Sequence, residues 1–140
     1  MKKISFILAT VLSILLLCPV DAHAQTRASQ YILSNTAIIS QGDGSGEVVV
    51  NFTVQAIRSL PKIGAIKIDI YRTSGDRAVT IWGNASNGLL SSKSATRYSY
   101  SYTYKGIPTV SYYAVVTVCA GPSINYDTRT VKTSVVQAPK

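Results

Sequence analysis

The sequence predicts an all-β fold, an antiparallel sandwich of two sheets with about seven strands. Three observations carry that prediction. Apolar residues recur at every second position, most clearly at Val48, Val50, Phe52, Val54 and Ala56, with Val49, Asn51, Thr53 and Gln55 between them. Turn formers such as Gly42–Gly46, Ser74-Gly75-Asp76 and Gly121-Pro122 punctuate the chain at short intervals. From Tyr31 onward no period of 3.6 is sustained, so one apolar face per strand pressed against another sheet is the arrangement that removes these side chains from water.

The chain opens with Met1-Lys2-Lys3 and an apolar run from Ile4 to Leu17, the charged-then-apolar order of an export signal. Pro19 and Asp21 interrupt the run before the roughly 20 apolar residues that a spanning helix needs. Ala22 and Ala24 present small side chains on either side of His23, so cleavage is expected between Ala24 and Gln25. Residues 1–24 are therefore read as signal peptide and 25–140 as a single domain. Cys18 raises the alternative of a lipoprotein signal. Bulky Leu17 before it and Pro19 after it argue instead for an apolar cysteine within the signal.

In the remaining chain, Tyr31–Ser40 reads as a weaker first strand and Val48–Ala56 as the second, joined by a glycine-rich turn that lets them pair. After Pro61, Ile66, Ile68 and Ile70 alternate with Lys67, Asp69 and Tyr71 to make a third strand; Ala78–Trp82 makes a short fourth. The Asn-, Gly- and Ser-rich stretch 83–95 reads as a long connection crossing between sheets. Tyr98, Tyr100, Tyr102 and Tyr104 then alternate with Ser99, Ser101 and Thr103, setting four phenol rings on one side of a fifth strand. Tyr112–Cys119 is the most apolar strand, expected at a sheet centre, and Thr128–Val136 is the last.

Ile107-Pro108 followed by Tyr112-Tyr113 and then valines resembles the corner before the sixth strand of immunoglobulin-like and fibronectin type III domains, where a tyrosine hydroxyl ties back to the backbone. Either tyrosine suits that part. Tyr112 shares a face with Ala114, Val116 and Val118, and Tyr113 with Val115, Thr117 and Cys119. The third-strand tryptophan and paired cysteines of antibody domains are missing, so the resemblance implies the looser immunoglobulin-like sandwich. Ile63-Gly64-Ala65, Ile70-Tyr71, Tyr112–Thr117 and Ala120-Gly121 also resemble a family of small exported Gram-positive bacterial proteins known only as a domain of unknown function. That likeness implies a secreted sandwich and no activity.

The chemistry left after cleavage is sparse. His23, the sole histidine, departs with the signal, and with it the commonest general base and metal ligand. Five carboxylates remain, Asp43, Glu47, Asp69, Asp76 and Asp127, scattered over turns and strand faces. A glycosidase needs two acids flanking one bond, and nothing in the sequence brings a pair into a cleft. Gly42–Gly46 lacks the spacing of a dinucleotide loop or a nucleophile elbow, and Asp43 with Glu47 offers too few oxygens for calcium. Asn51-Phe52-Thr53 and Asn84-Ala85-Ser86 match the glycosylation pattern, the first inside a strand. Cys119 stands without a cysteine partner and is expected to be buried as a small apolar side chain. No catalytic residue, metal site or cofactor is expected.

Binding is the remaining class. The whole chain carries a formal charge of +8, and +7 remains once Lys2, Lys3 and Asp21 leave. Such a surface is attracted to anionic polymers, although its cations never form a block. Tyr98, Tyr100, Tyr102 and Tyr104, flanked by Arg97 and Lys105, are the candidate binding face, because open aromatic rings stack on sugar faces or bases. The other reading of the same row, which Ser99, Ser101 and Thr103 favour as the better surface residues, is that the rings face the core with their hydroxyls at its rim. The expected function is a secreted, non-enzymatic interaction module at the bacterial envelope, with an anionic cell-wall polymer or a glycan as partner. The alternative is an exported antagonist or signal acting on other cells. No sorting signal follows Val136, so C-terminal anchoring is not expected.

Overall fold

A computed structural model describes residues 29–140, so the expected signal peptide and its cleavage site lie outside the described residues. Those residues form eight strands and no helix: β1 (Ile32–Gln41), β2 (Glu47–Leu60), β3 (Lys62–Arg72), β4 (Arg77–Trp82), β5 (Ala95–Lys105), β6 (Ser111–Gly121), β7 (Asp127–Lys132) and β8 (Val136–Gln137). All pairings are antiparallel. One sheet has the order β1-β2-β5; the other runs β4-β3-β6-β7, with β8 also on β6.

The period-two pattern decides which side of each strand is dry. Val48, Val50, Phe52, Val54 and Ala56 of β2 face Ile68 and Ile70 of β3 and Tyr112, Ala114, Val116 and Val118 of β6 across one core. Burying each larger side chain of this set contributes about 1.5–3 kcal/mol. β6 lies between β3 on one side and β7 and β8 on the other, the central place its composition predicts.

Two elements differ from the sequence expectation. β3 begins at Lys62, immediately after Pro61, because the chain changes sheets at that single residue and pairs with β6 from Lys62↔Gly121 onward. Its register slips between Ala65 and Lys67, which takes Ile66 out of the alternation and leaves it half-buried. The last strand is broken into β7 and β8. Buried Thr133 occupies the break, its hydroxyl accepting the Ala114 N–H at 2.9 Å where a backbone carbonyl would otherwise serve.

The 83–95 connection does cross between the sheets, from β4 to β5. It is fastened to β3 by Ala65 N–H to the Leu89 carbonyl (2.7 Å) and Ser91 N–H to the Ile63 carbonyl (2.9 Å). Leu89 is fully buried in the core. Within the connection, Asn84 and Asn87 each accept the other's backbone N–H, and Asn87 also donates to the Trp82 carbonyl. The polar residues that mark this stretch as a loop thus supply its internal hydrogen bonds.

Candidate functional site

The tyrosine row sits on the inner side of β5. Tyr98, Tyr100, Tyr102 and Tyr104 lie opposite Val54, Phe52, Val50 and Val48, and directly paired residues share a face. Tyr98, Tyr102 and Tyr104 are half-buried against the core, while Tyr100 is 37% exposed. The Tyr98 hydroxyl donates to the Gly88 carbonyl at 2.7 Å, and the Tyr100 ring lies so close to Gly88 that a methyl there would come within 2.5 Å of it. Tyr104 meets Tyr112 edge-on at 5.7 Å. Burial, then the neighbouring phenols, pushes the Tyr98 and Tyr104 hydroxyls above their usual range, with Arg72 drawing Tyr104 back in part. The row forms a side wall of the core, with Tyr98 and Tyr100 against Gly88 of the 83–95 connection and Tyr104 against Tyr112. Arg97 and Lys105 alternate with it and are exposed on the outer face, so the six residues do not converge on one surface.

A different set does converge, on the outer face of the β4-β3-β6-β7 sheet. Register places Trp82, Lys67, Thr117 and Thr130 in one row, and Thr80, Asp69, Val115 and Lys132 in the next. Arg77, Tyr71 and Tyr113 form a third. Trp82 is 68% exposed, with the Lys67 ammonium 5.7 Å from its ring centre. Tyr71 and Tyr113 stack at 5.2 Å with 10° between their planes, and Lys132 stands 4.4 Å above Tyr113. Three cations and three aromatic rings therefore share this face with one carboxylate.

That carboxylate, Asp69, is only 3% exposed and organises the face. It pairs with Lys67 at 2.9 Å and Arg77 at 3.9 Å and accepts the Thr80 hydroxyl. Burial pushes its pKa up, but the Thr80 hydroxyl and the two cations more than offset this and hold it below the usual carboxylate range. Asp127 behaves likewise: burial raises it, while the Ser29 hydroxyl (2.8 Å), the Tyr31 and Gln30 backbone and Arg129 lower it. The linkage sign follows from these directions. A depressed native pKa gives stability that is complete above the ordinary carboxylate value and is lost as pH falls through the native one. Urea midpoints are therefore expected to hold from pH 7 to about 5 and to fall below about pH 4. Asp127→Asn should flatten part of that fall, and an acid limb identical to the parent's would contradict the assignment.

The other carboxylates have local tasks. Glu47 accepts the Gly44 N–H within its own hairpin turn, and Asp76 accepts the Ser74 hydroxyl. Among the described residues no three His, Cys, Asp or Glu side chains gather as metal ligands. Cys119 is fully buried, and burial pushes its thiol up to about 11 despite nearby Lys62. No helix among the described residues is long and apolar enough to cross a membrane.

Sequence reasoning did not join Trp82, Tyr71 and Tyr113 into one site, because each lies on a different strand. The signal was present in part: Tyr71 continues the Lys67, Asp69 polar register, and Tyr113 lies off the better core face. Their meeting depends on which strands pair and in what register, and that is a property of topology. Comparisons of the chain with protein-family models, with curated proteins and with solved structures found no match.

Proposed function

We propose that the chain is an exported, non-catalytic binding module of the bacterial envelope, engaging an anionic wall polymer through the outer face of β4, β3, β6 and β7. The observation that carries this reading is the exposed Trp82 ring beside Lys67, on the same face as the stacked Tyr71–Tyr113 pair and Lys132. An indole open to solvent beside a cation, with a half-buried stacked tyrosine pair and a second cation on the same face, suits a ligand with both apolar ring faces and negative charge. The formal charge, +8 for the full chain and +7 without the expected signal, favours such a partner at long range. The strand order β1-β2-β5 against β4-β3-β6-β7, with Tyr112 tied to the corner before β6, supports the immunoglobulin-like or fibronectin type III-like class for the sandwich. The charged-then-apolar N-terminus supports export.

Trp82 is the only tryptophan, so its emission reports on this face alone. Adding poly(glycerol phosphate) at low ionic strength is expected to change that emission, and salt should reverse the change as it screens the cations. Purified Gram-positive cell wall should retain the protein, and wall stripped of teichoic acid should retain less. Trp82→Ala should weaken retention about tenfold, as loss of an interface anchor does. Absence of retention on intact wall at low salt would end this reading.

A further inference from the structure

The outer face of the β1-β2-β5 sheet, on the opposite side of the sandwich, carries a separate groove of about 160 Å³ lined by Ser34, Asn35, Thr36, Thr53, Gln55 and Arg97. Register explains why these residues meet. Ser34, Gln55 and Arg97 form one row across the three strands, and Thr36, Thr53 and Ser99 form the next. The groove opens where pairing is irregular on both sides of β2. β1 slips register between Ile32 and Ser34, and the β2–β5 ladder lapses beyond Gln55.

Among the described residues Arg97 has no carboxylate to neutralise it. Both ion pairs among the described residues go to Asp69, on the other sheet. Glu47 and Asp76 serve their own turns, and Asp127 holds Ser29 and Tyr31. Asp43 belongs to the β1–β2 turn, at the far end of this sheet from Gln55. An uncompensated guanidinium thus lies among hydroxyls and amides that both donate and accept hydrogen bonds. No aromatic ring lines the groove, which removes stacking as the mode of recognition.

We propose that this groove binds the carboxylate-bearing sugar of an acidic polysaccharide, with Arg97 pairing to the carboxylate and Ser34, Thr36, Thr53 and Gln55 meeting the ring hydroxyls. The planar guanidinium fork matches a carboxylate in a bidentate pair. The surrounding groups match sugar hydroxyls, which need partners of both senses. The site is independent of the Trp82 face and stands or falls separately.

Backbone-amide NMR titrations with glucuronate, glucose and glucose 1-phosphate test it. Glucuronate is expected to move the amides around Ser34, Gln55 and Arg97 and to bind at least about tenfold tighter than glucose, the usual worth of a hydrogen bond to a charged group. Arg97 is exposed, so Arg97→Gln should fold normally and lose that advantage, while Thr103→Ala, farther along β5, should keep it. Three results would overturn the assignment: no movement of these amides with glucuronate, parental affinity in Arg97→Gln, or tighter binding of glucose 1-phosphate than of glucuronate. Because the probes are single sugars and the readout is on β1, β2 and β5, failure here is distinguishable from failure of wall binding through Trp82.

Discussion

Gly64→Ala is expected to destabilise the protein by about 2–4 kcal/mol, combining backbone strain with a forced separation of packed chain segments. Gly64 has φ of +143°, a conformation that residues with a Cβ rarely adopt. The added methyl would also sit 2.2 Å from the Leu89 carbonyl oxygen and 2.9 Å from the Leu90 Cα. Both are backbone atoms, so no rotamer change relieves the clash. The 83–95 connection would have to lift from β3, breaking the Ala65–Leu89 and Ser91–Ile63 hydrogen bonds and withdrawing Leu89 from the core. Tyr98, whose hydroxyl is held by the Gly88 carbonyl, would lose its partner at the same time. Urea denaturation reads the loss of stability, and limited proteolysis within 83–95 reads the lifting. A midpoint equal to that of the parent, with the connection still protected, would show that Gly64 is not the contact point described.

The second large effect is expected at Tyr112. Its ring is fully buried between the sheets, and its hydroxyl accepts the Ile107 N–H at 2.8 Å. Gly106 lies directly against that hydroxyl, and the Tyr104 ring meets the Tyr112 ring edge-on. Tyr112→Ala removes a core aromatic and should cost about 3–5 kcal/mol. Tyr112→Phe retains the ring and removes only the tether, so about 1–2 kcal/mol is expected. The two variants separate packing from hydrogen bonding. Faster hydrogen exchange at the Ile107 amide in Tyr112→Phe would place the loss at the corner before β6; unchanged exchange there would refute the tether.

Much of the architecture can be read from single strands, because a strand's own alternation states which face is dry. Val48–Ala56 and Tyr112–Val118 declare their core sides without reference to any partner. The choice between Tyr112 and Tyr113 is also implicit in that pattern, since only Tyr112 shares the Ala114, Val116 and Val118 face that is buried. Interruptions are less legible. Pro61 reads as a break, yet the chain turns from one sheet to the other across that residue alone, and Thr133 reads as strand although its side chain is what divides β7 from β8.

The proposed binding surfaces are the least legible part. Four tyrosines spaced by two look like a platform, but in a sandwich a regular aromatic row is also the cheapest way to close the side of a core. The neighbouring Val54, Phe52, Val50 and Val48 decide the matter by fixing the face. Arg97 joins Ser34 and Thr36 only through the register of three strands distant in sequence.

The break at Thr133 bears on how the fold avoids pairing edge to edge with a second copy. An uninterrupted final strand would expose a long row of unpaired amides and carbonyls, a template on which a second molecule adds its own strand. Here the Thr133 hydroxyl accepts the Ala114 N–H and donates to the Ser134 carbonyl, so the ladder is interrupted where the border strand would otherwise be longest. The same side chain that completes a hydrogen bond inside the fold makes the rim a poor seed for fibrils.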